Sequence, residues 1–354
     1  MSLHDWIIFQ LIDSRNSGGI ETHILNLSGW LKRQGYQTRI IFINDYGPHP
    51  LKDQLDEAGI EWQTSEGWYS LYKLLRHHPA MLATHGYKAG ILGRITARLA
   101  RVPVVSTYHA GDLGEGRLRL YSMLDTLSAP LANQVISVSP EIANRLSCDC
   151  NQLPNFVSTG GYRQNKGKKI AFVGRLSHEK GPDCFAQITA TLSSACKSTS
   201  KPDEHTEVAV FGDGPMREAL QDHYPHLHFH GQVDMQDHWD DVGLLCITSR
   251  CEGLPLVALE AMSRGIPVVS FAIGALPQLI QHEKNGWLIP PQNFILFQKV
   301  IQHWQQSTAT DRSCISLMAY QTIRQRFSCD VVGPKIIDVY RQALPALAQM
   351  AERS

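Results

Sequence analysis

Residues 248–270, Thr-Ser-Arg-Cys-Glu-Gly-Leu-Pro-Leu-Val-Ala-Leu-Glu-Ala-Met-Ser-Arg-Gly-Ile-Pro-Val-Val-Ser, restrict the possible folds more than any other stretch. They follow an apolar run, Val242 to Ile247, that reads as a buried strand. Glu252-Gly-Leu-Pro255 then reads as a turn, and Pro255 suits the first position of a helix. The helix runs to about Arg264, Gly265 stops it, and Ile266 to Ser270 is the next strand. In such a strand–turn–helix–strand unit the helix N-terminus faces the carboxyl ends of the strands. Its free N–H groups and its dipole make an anion site. Glu252 in the turn and Glu260 in the second helical turn would repel a phosphate there unless they point elsewhere. Sugar hydroxyls, as hydrogen-bond donors, suit such carboxylates. Taken alone, the two glutamates read as surface charges of an ordinary α/β unit.

At 354 residues the chain calls for two α/β domains rather than one core. Its 33 basic residues balance 33 acidic ones, so no global charge field points to nucleic acid. The start, Met-Ser-Leu-His-Asp-Trp, shows no signal-peptide pattern, and no apolar run reaches transmembrane length. Scattered cysteines read as reduced thiols. The expectation is a cytoplasmic protein.

In the first half, Trp6 to Ile12 is a strand, the following polar loop carries Gly18 and Gly19, and Ile20 to Gln34 is a helix. The two glycines would let backbone approach a ligand at a helix N-terminus. Helices and strands then alternate to about residue 107, which argues for a parallel sheet. His85 and His109 each follow a strand, where open α/β sheets put their ligands. His85 reads as a satisfied turn residue. Residues 70–120 hold eight basic side chains against two acidic ones, Asp112 and Glu115. Arg94, Arg98 and Arg101 fall at helical spacing on one face. A solvated face is the simple reading; the sharper one is contact with anionic membrane lipid or a lipid-diphosphate acceptor.

Residues 159–169 are polar and glycine-bearing and read as the interdomain linker. Lys169 to Val173 is a strand leading into Gly174-Arg175-Leu-Ser-His-Glu-Lys180-Gly181, where two cations could neutralise a diphosphate. Val208 to Phe211 leads into Gly212-Asp213-Gly214, and His228-Phe-His-Gly231 follows. The histidines at 223, 226, 228, 230 and 238 lack the spacing of a metal site, and the chain has no Asp-x-Asp. No metal and no cofactor are expected. Residues 293–350 are helical by pattern, with breaks near Ser328 and Gly333-Pro334.

With these motifs in this order the chain resembles family 4 of the retaining glycosyltransferases. The resemblance is carried by Glu252 and Glu260 with Ala-Met-x-x-Gly-x-Pro-Val-Val, by Gly-Arg-Leu-x-x-x-Lys-Gly at 174–181, and by Gly18-Gly19 before Ile20-Glu21. Val104-Val-Ser-Thr-Tyr-His109 and Leu153-Pro-Asn-Phe-Val-Ser158 add to it. It implies the α/β GT-B fold, two Rossmann-like domains facing each other across a cleft. Residues 1–158 would form the acceptor-side domain, completed by a C-terminal helix at about 330–354, and 165–328 the nucleotide-sugar domain. It implies transfer of a sugar from a nucleotide-diphosphate sugar, with retention and without metal. The acceptor would be a hydroxyl of a cell-surface polysaccharide or lipid-linked glycan.

The implied catalytic residues are His109, Arg175, Lys180 and Glu252. The implied donor-binding residues are Gly18, Gly19, Arg175, Lys180, Gly212, Asp213, Gly231, Glu252, Gly253, Leu254, Pro255, Leu256, Val257 and Glu260. Glu252 would hold donor-sugar hydroxyls, Glu260 the ribose, and His109 the sugar beside the anomeric carbon. Phe156, Ser158, Ala275 and Gln278 depart from the family pattern and leave the sugar open. A sugar-nucleotide 2-epimerase and a catalytically silent scaffold subunit of the same fold remain alternatives.

Overall fold

The computed structural model describes residues 3–16, 18–77, 79–109, 117–195 and 207–344. The chain divides into two units, Met1–Ser158 with Ser328–Ser354, and Thr159–Phe327.

The first unit is built on β1 (Ile7–Ile12), whose last five residues are buried. It pairs in parallel with β2 (Gln37–Phe42) on one side and β4 (Ala80–His85) on the other. β3 (Trp62–Thr64), β5 (Val104–Tyr108), β6 (Gln134–Ser137) and β7 (Asn151–Gln152) complete a parallel sheet of order β3-β2-β1-β4-β5-β6-β7. Central strands read as unbroken apolar runs because helices cover both faces of such a sheet. α1 (Gly19–Arg33) packs against α2 (Pro50–Glu57), and α3 (Trp68–Arg76) packs against α4 (Tyr87–Ala100). α4 in turn meets α5 (Arg117–Leu127). The first turn of α6 (Pro140–Ala143) is capped by the Ser139 hydroxyl, which accepts from the Ile142 N–H.

The second unit repeats the plan. β8 (Lys169–Val173), β9 (Val208–Phe211), β10 (His228–Gly231), β11 (Val242–Ile247), β12 (Val268–Phe271) and β13 (Gly286–Ile289) are all parallel, in the order β10-β9-β8-β11-β12-β13. α7 (Pro182–Ala195), α8 (Arg217–His223), α9 (Leu256–Ser263), α10 (Leu276–Leu279), α11 (Phe294–Gln306) and α12 (Ala309–Thr322) connect or flank them. In both sheets the strand order reverses beside the first strand. Between β1 and β4, and between β8 and β11, the connecting segments leave in opposite directions and open a crevice at the carboxyl ends.

α13 (Cys329–Ala343) belongs to the first unit and packs on α1. Trp30 Nε1 donates to the Asp330 carboxylate at 3.0 Å. The sequence pattern predicts a break at Gly333-Pro334, but the helix runs through it. Pro334 forfeits only one backbone hydrogen bond, while the bare α-carbon of Gly333 lies against the Trp30 ring, where a Cβ would come within 2.7 Å. Burial of Ile336, Ile337 and Tyr340 offsets that loss.

The arginine stripe expected on α4 is also corrected. Arg98 and Arg101 are exposed, but Arg94 is fully buried. It forms an ion pair with the Asp125 carboxylate and donates to the Asp125 carbonyl (2.8 Å), Ser128 Oγ (2.8 Å) and Ser106 Oγ (3.1 Å). Helical spacing cannot tell an outward arginine from one whose partner arrives from another helix. Arg94→Ala would strand a buried carboxylate and is expected to cost about 3–5 kcal/mol. It should appear as a lowered thermal midpoint, and Arg94→Met with Asp125→Leu should recover most of the loss.

Candidate functional site

Two loops at the switch point of the second unit carry most of the residues singled out by sequence. The loop after β8 holds Gly174, Arg175 and, in a short 3₁₀ turn, Lys180. The loop after β11 runs from Thr248 to Pro255 and holds Glu252. They are stitched together by polar bonds. Lys180 Nζ donates to Glu252 Oε1 at 2.7 Å, and Ser249 Oγ donates to the same oxygen at 2.8 Å. Thr248 Oγ1 donates to the Gly181 carbonyl at 2.8 Å. The Arg250 backbone N–H donates to the Glu179 carbonyl, and its guanidinium forks onto both Asp183 carboxylate oxygens at 2.9 and 2.6 Å. That fork holds the Asp183 carboxyl below its usual range. Hydrogen bonding from Ser177, aided by Arg175 and Lys180, does the same for Glu179, although burial opposes it.

Two glycines permit this close approach. Gly181, at φ 64°, lies where a Cβ would come within 2.2 Å of the Thr248 carbonyl oxygen. Gly274, at φ 51°, lies equally tightly on Glu252, so the loop after β12 backs the carboxylate-bearing loop. Any side chain at either position meets both a disfavoured backbone region and a backbone clash.

α9 begins at Leu256, with Pro255 as its N-cap rather than its first helical residue, and no side chain caps it. The N–H groups of its first turn, with the dipole behind them, therefore stand beside Glu252. Leu254, Pro255 and Leu256 are buried, Val257 and Gly253 half-buried. Glu260 lies on the same helix, where burial raises its pKa against the opposing charge of Arg264. Arg264 donates to Gln236 Oε1, tying the far side of α9 to the segment after β10. Asp213 is exposed and held by its own loop: it accepts from the Gly214 N–H (2.7 Å) and pairs with Arg217 (2.7 Å). The Gly212 N–H donates to the Gly231 carbonyl at 2.7 Å, fixing those two loops side by side.

In the first unit, Gly18 is the N-cap of α1 and Gly19 its first residue, both exposed. The switch point between β1 and β4 holds a chain of polar groups that spacing did not reveal. His85 ends β4 and is buried, not a turn residue. Its Nε2–H donates to Gln10 Oε1 at 2.6 Å, which leaves Nδ1 to accept from His109 Nε2 at 3.0 Å. His23, from α1, packs edge-on against His109 with ring centroids 4.5 Å apart. Ring nitrogens of the three lie within 4.8 Å of one another, a donor set a transition metal could use. The His85–His109 hydrogen bond already satisfies two of those nitrogens. Burial drives all three pKa values down, that of His109 to about 4; for His23 the charges of the other two add to it. The histidines of 223–238 instead make separate contacts, such as His226 with Thr189 and His230 with Glu207. Gln10 and His23 were not singled out by sequence, since strand and helix patterning absorbs them; Ser249 and Gly274 lie in loops, where their partners come from packing.

Comparison with known proteins places these features in a family. Residues 17–155 match the model described as Glycosyltransferase Family 4, and residues 167–306 the model described as Glycosyl transferases group 1. An uncharacterised glycosyltransferase of Methanocaldococcus jannaschii is 22% identical over 390 residues, covering 94% of this chain and 96% of its own. The UDP-Gal:alpha-D-GlcNAc-diphosphoundecaprenol alpha-1,3-galactosyltransferase of Escherichia coli is 28% identical over 256 residues. That match covers 62% of this chain and 65% of the galactosyltransferase, slightly under two thirds of its length. The crystal structure of Anabaena HepE with UDP-glucose superposes with a TM-score of 0.76 at 17% identity, over 95% of this chain and 99% of that one.

The buried His23 and His85 and the half-buried His109 give the first unit a pH-dependent stability. Each is held neutral when folded, while in the unfolded chain it titrates near 6.5. Below that value the unfolded state takes up protons first. This stabilisation is therefore complete above pH 6.5 and is lost as pH falls towards 4. The thermal midpoint is expected to drop between pH 7.5 and pH 5, and His23→Leu should flatten the dependence; a melting curve at each pH checks both.

Proposed function

The chain belongs to glycosyltransferase family 4 with a GT-B fold, and from that premise we propose how it acts and on what. It moves a sugar from a nucleotide-diphosphate sugar to an acceptor hydroxyl, with retention at the anomeric carbon. The observation that carries this reading is the joined pair of loops at the β8–β11 switch point. They join Lys180 to the Glu252 carboxylate just before α9, whose N-terminus no side chain caps, and carry Arg175 on the same loop as Lys180.

In this reading the bond between the anomeric carbon and the phosphate oxygen breaks, and the diphosphate leaves with additional negative charge. Arg175, Lys180 and the first N–H groups of α9 are assigned to stabilise that charge. They would do so without a divalent ion. Glu252, already accepting from Ser249 and Lys180, keeps a second oxygen for donor-sugar hydroxyls. Glu260 is assigned to the ribose, whose hydroxyls would satisfy a carboxylate that burial otherwise penalises. Gly212 and Gly231 admit the nucleotide, with Asp213 shaping their loop through its bonds to Gly214 and Arg217. Gly18, Gly19 and His109 are assigned to the donor as the family resemblance implies, His109 beside the anomeric carbon. The acceptor hydroxyl bonds to the anomeric carbon on the face the phosphate leaves, and the leaving phosphate oxygen takes its proton. No protein base is assigned.

The acceptor is assigned to the class of cell-surface polysaccharides or lipid-linked glycans. The E. coli relative supports this, since its name describes transfer to a sugar on a lipid diphosphate.

Arg175→Ala and Lys180→Ala are each expected to lower turnover by about 10²–10³-fold, the range for removing one preorganised charge stabiliser. The thermal midpoint of unliganded Arg175→Ala should change little, whereas Lys180→Ala, which removes the ion pair to Glu252, should lower it. Steady-state assays with UDP-, GDP- and ADP-sugars, preceded by a thermal-shift screen for the donor base, would check this. Full turnover by Lys180→Ala would sink the assignment.

A further inference from the structure

The second unit has a pocket at the end of its sheet opposite the joined loops. It measures about 320 Å³, within the range of small-molecule sites. It opens at the amino ends of β8, β11 and β12, between the segment 164–168 and helices α11 and α12. β8, five residues long, sets the two ends of the sheet about 16 Å apart, so this pocket is separate from the loops that carry Lys180 and Glu252.

Trp304, from α11, forms its back. The ring is buried where the bare α-carbon of Gly243 admits it: a Cβ there would come within 2.7 Å of the indole. Arg312 reaches across from α12, its guanidinium 4.4 Å from the centre of the Trp304 ring and one Nη donating to the Gln305 carbonyl at 2.7 Å. Gln164 Nε2 donates to Ser313 Oγ, which ties the facing wall to α12.

The charge of the pocket has one sign. Lys166, Lys168 and Arg312 line it, and among the described residues no carboxylate does. The acidic side chains next in the chain to lining residues are engaged elsewhere: Asp241 with Lys169 at 3.2 Å, and Asp311 with Thr308 in the capping box of α12. Arg312 is half-buried, forms no ion pair among the described residues, and keeps a buried Nε without a hydrogen-bond partner. Burial lowers its pKa, and no carboxylate opposes the shift. The face of Trp304 offsets part of the cost of desolvating this guanidinium. A partly buried cation without a counter-charge is still best met by an anion.

We infer that this pocket is a second ligand site of the protein, and that it takes a small phosphate monoester. Such a phosphate carries a charge of about −2 at pH 7, which three cations match better than they match the single charge of a carboxylate. Arg312 offers the phosphate a guanidinium that no carboxylate holds, the two exposed lysines add point charges, and the Ser313 and Ser316 hydroxyls complete the polar side. Pro267 and Ala309 give the carbon end of the ester an apolar wall. The inference rests on this pocket alone, so it stands or falls apart from the transferase reading.

The test is titration calorimetry of the full chain with glycerol 3-phosphate, and with glycerol as the neutral control. Binding of the phosphate tighter than about 1 mM is expected. It should weaken as salt is raised, and glycerol should not bind. Arg312→Gln should weaken it by about tenfold or more, the loss of one charge-assisted hydrogen bond. Lys166→Gln with Lys168→Gln, at two exposed positions, should do the same. If Arg312→Gln fails to fold, as judged by its melt, the double lysine variant decides alone. Lys180→Ala, at the other end of the sheet, should leave the binding unchanged. The inference is overturned by no binding of glycerol 3-phosphate, by equal binding of glycerol, by binding indifferent to the lysine variant, or by binding lost in Lys180→Ala.

Discussion

The second unit depends on the union of its two post-strand loops. Apart from the 3₁₀ turn at His178–Lys180, the loops Gly174–Gly181 and Thr248–Pro255 have little regular hydrogen bonding of their own, since each leaves the end of a parallel strand and must find partners beyond the ladder. They find them in one another: Lys180 with Glu252, Thr248 with the Gly181 carbonyl, Arg250 with Asp183 and Glu179. Charged partners make these bonds stronger than neutral ones, and the partly buried setting reduces their screening. Arg250 contributes no atom to the proposed chemistry, yet it sets the distance between the two loops that carry it.

A different solution operates in the first unit. There the crevice between β1 and β4 is lined by neutral imidazoles rather than by ions. Gln10 fixes the tautomer of His85, and His85 thereby orients His109. Burial of three neutral rings costs far less than burial of one imidazolium, so the arrangement is stable only while all three are unprotonated. A basic group kept neutral by its surroundings presents a hydrogen-bonding surface of fixed polarity rather than a charge.

The Arg94–Asp125 pair links fold and surface. It consumes the one carboxylate of α5 and turns it inward, and the side of the helix left facing out is leucine-rich. With that carboxylate withdrawn and the leucines exposed, the outer side of α5 is a surface that water alone does not suit.

The sequence by itself determined the two parallel-sheet units, most element boundaries to within a residue or two, and the two loops with Arg175, Lys180 and Glu252. Apolar runs, glycines and capping residues act locally, over the few residues that a strand end or a helix turn involves. Tertiary structure alone decided the partners. His85 became a buried bridge rather than a turn residue because Gln10 and His109 arrive from other strands, and Arg94 left the exposed stripe because Asp125 comes from the next helix. The helix ran on through Gly333-Pro334 because Trp30, some 300 positions earlier, needed the space a glycine leaves. Periodicity records which face a residue lies on, but the group it meets there is set by packing between segments distant in the chain.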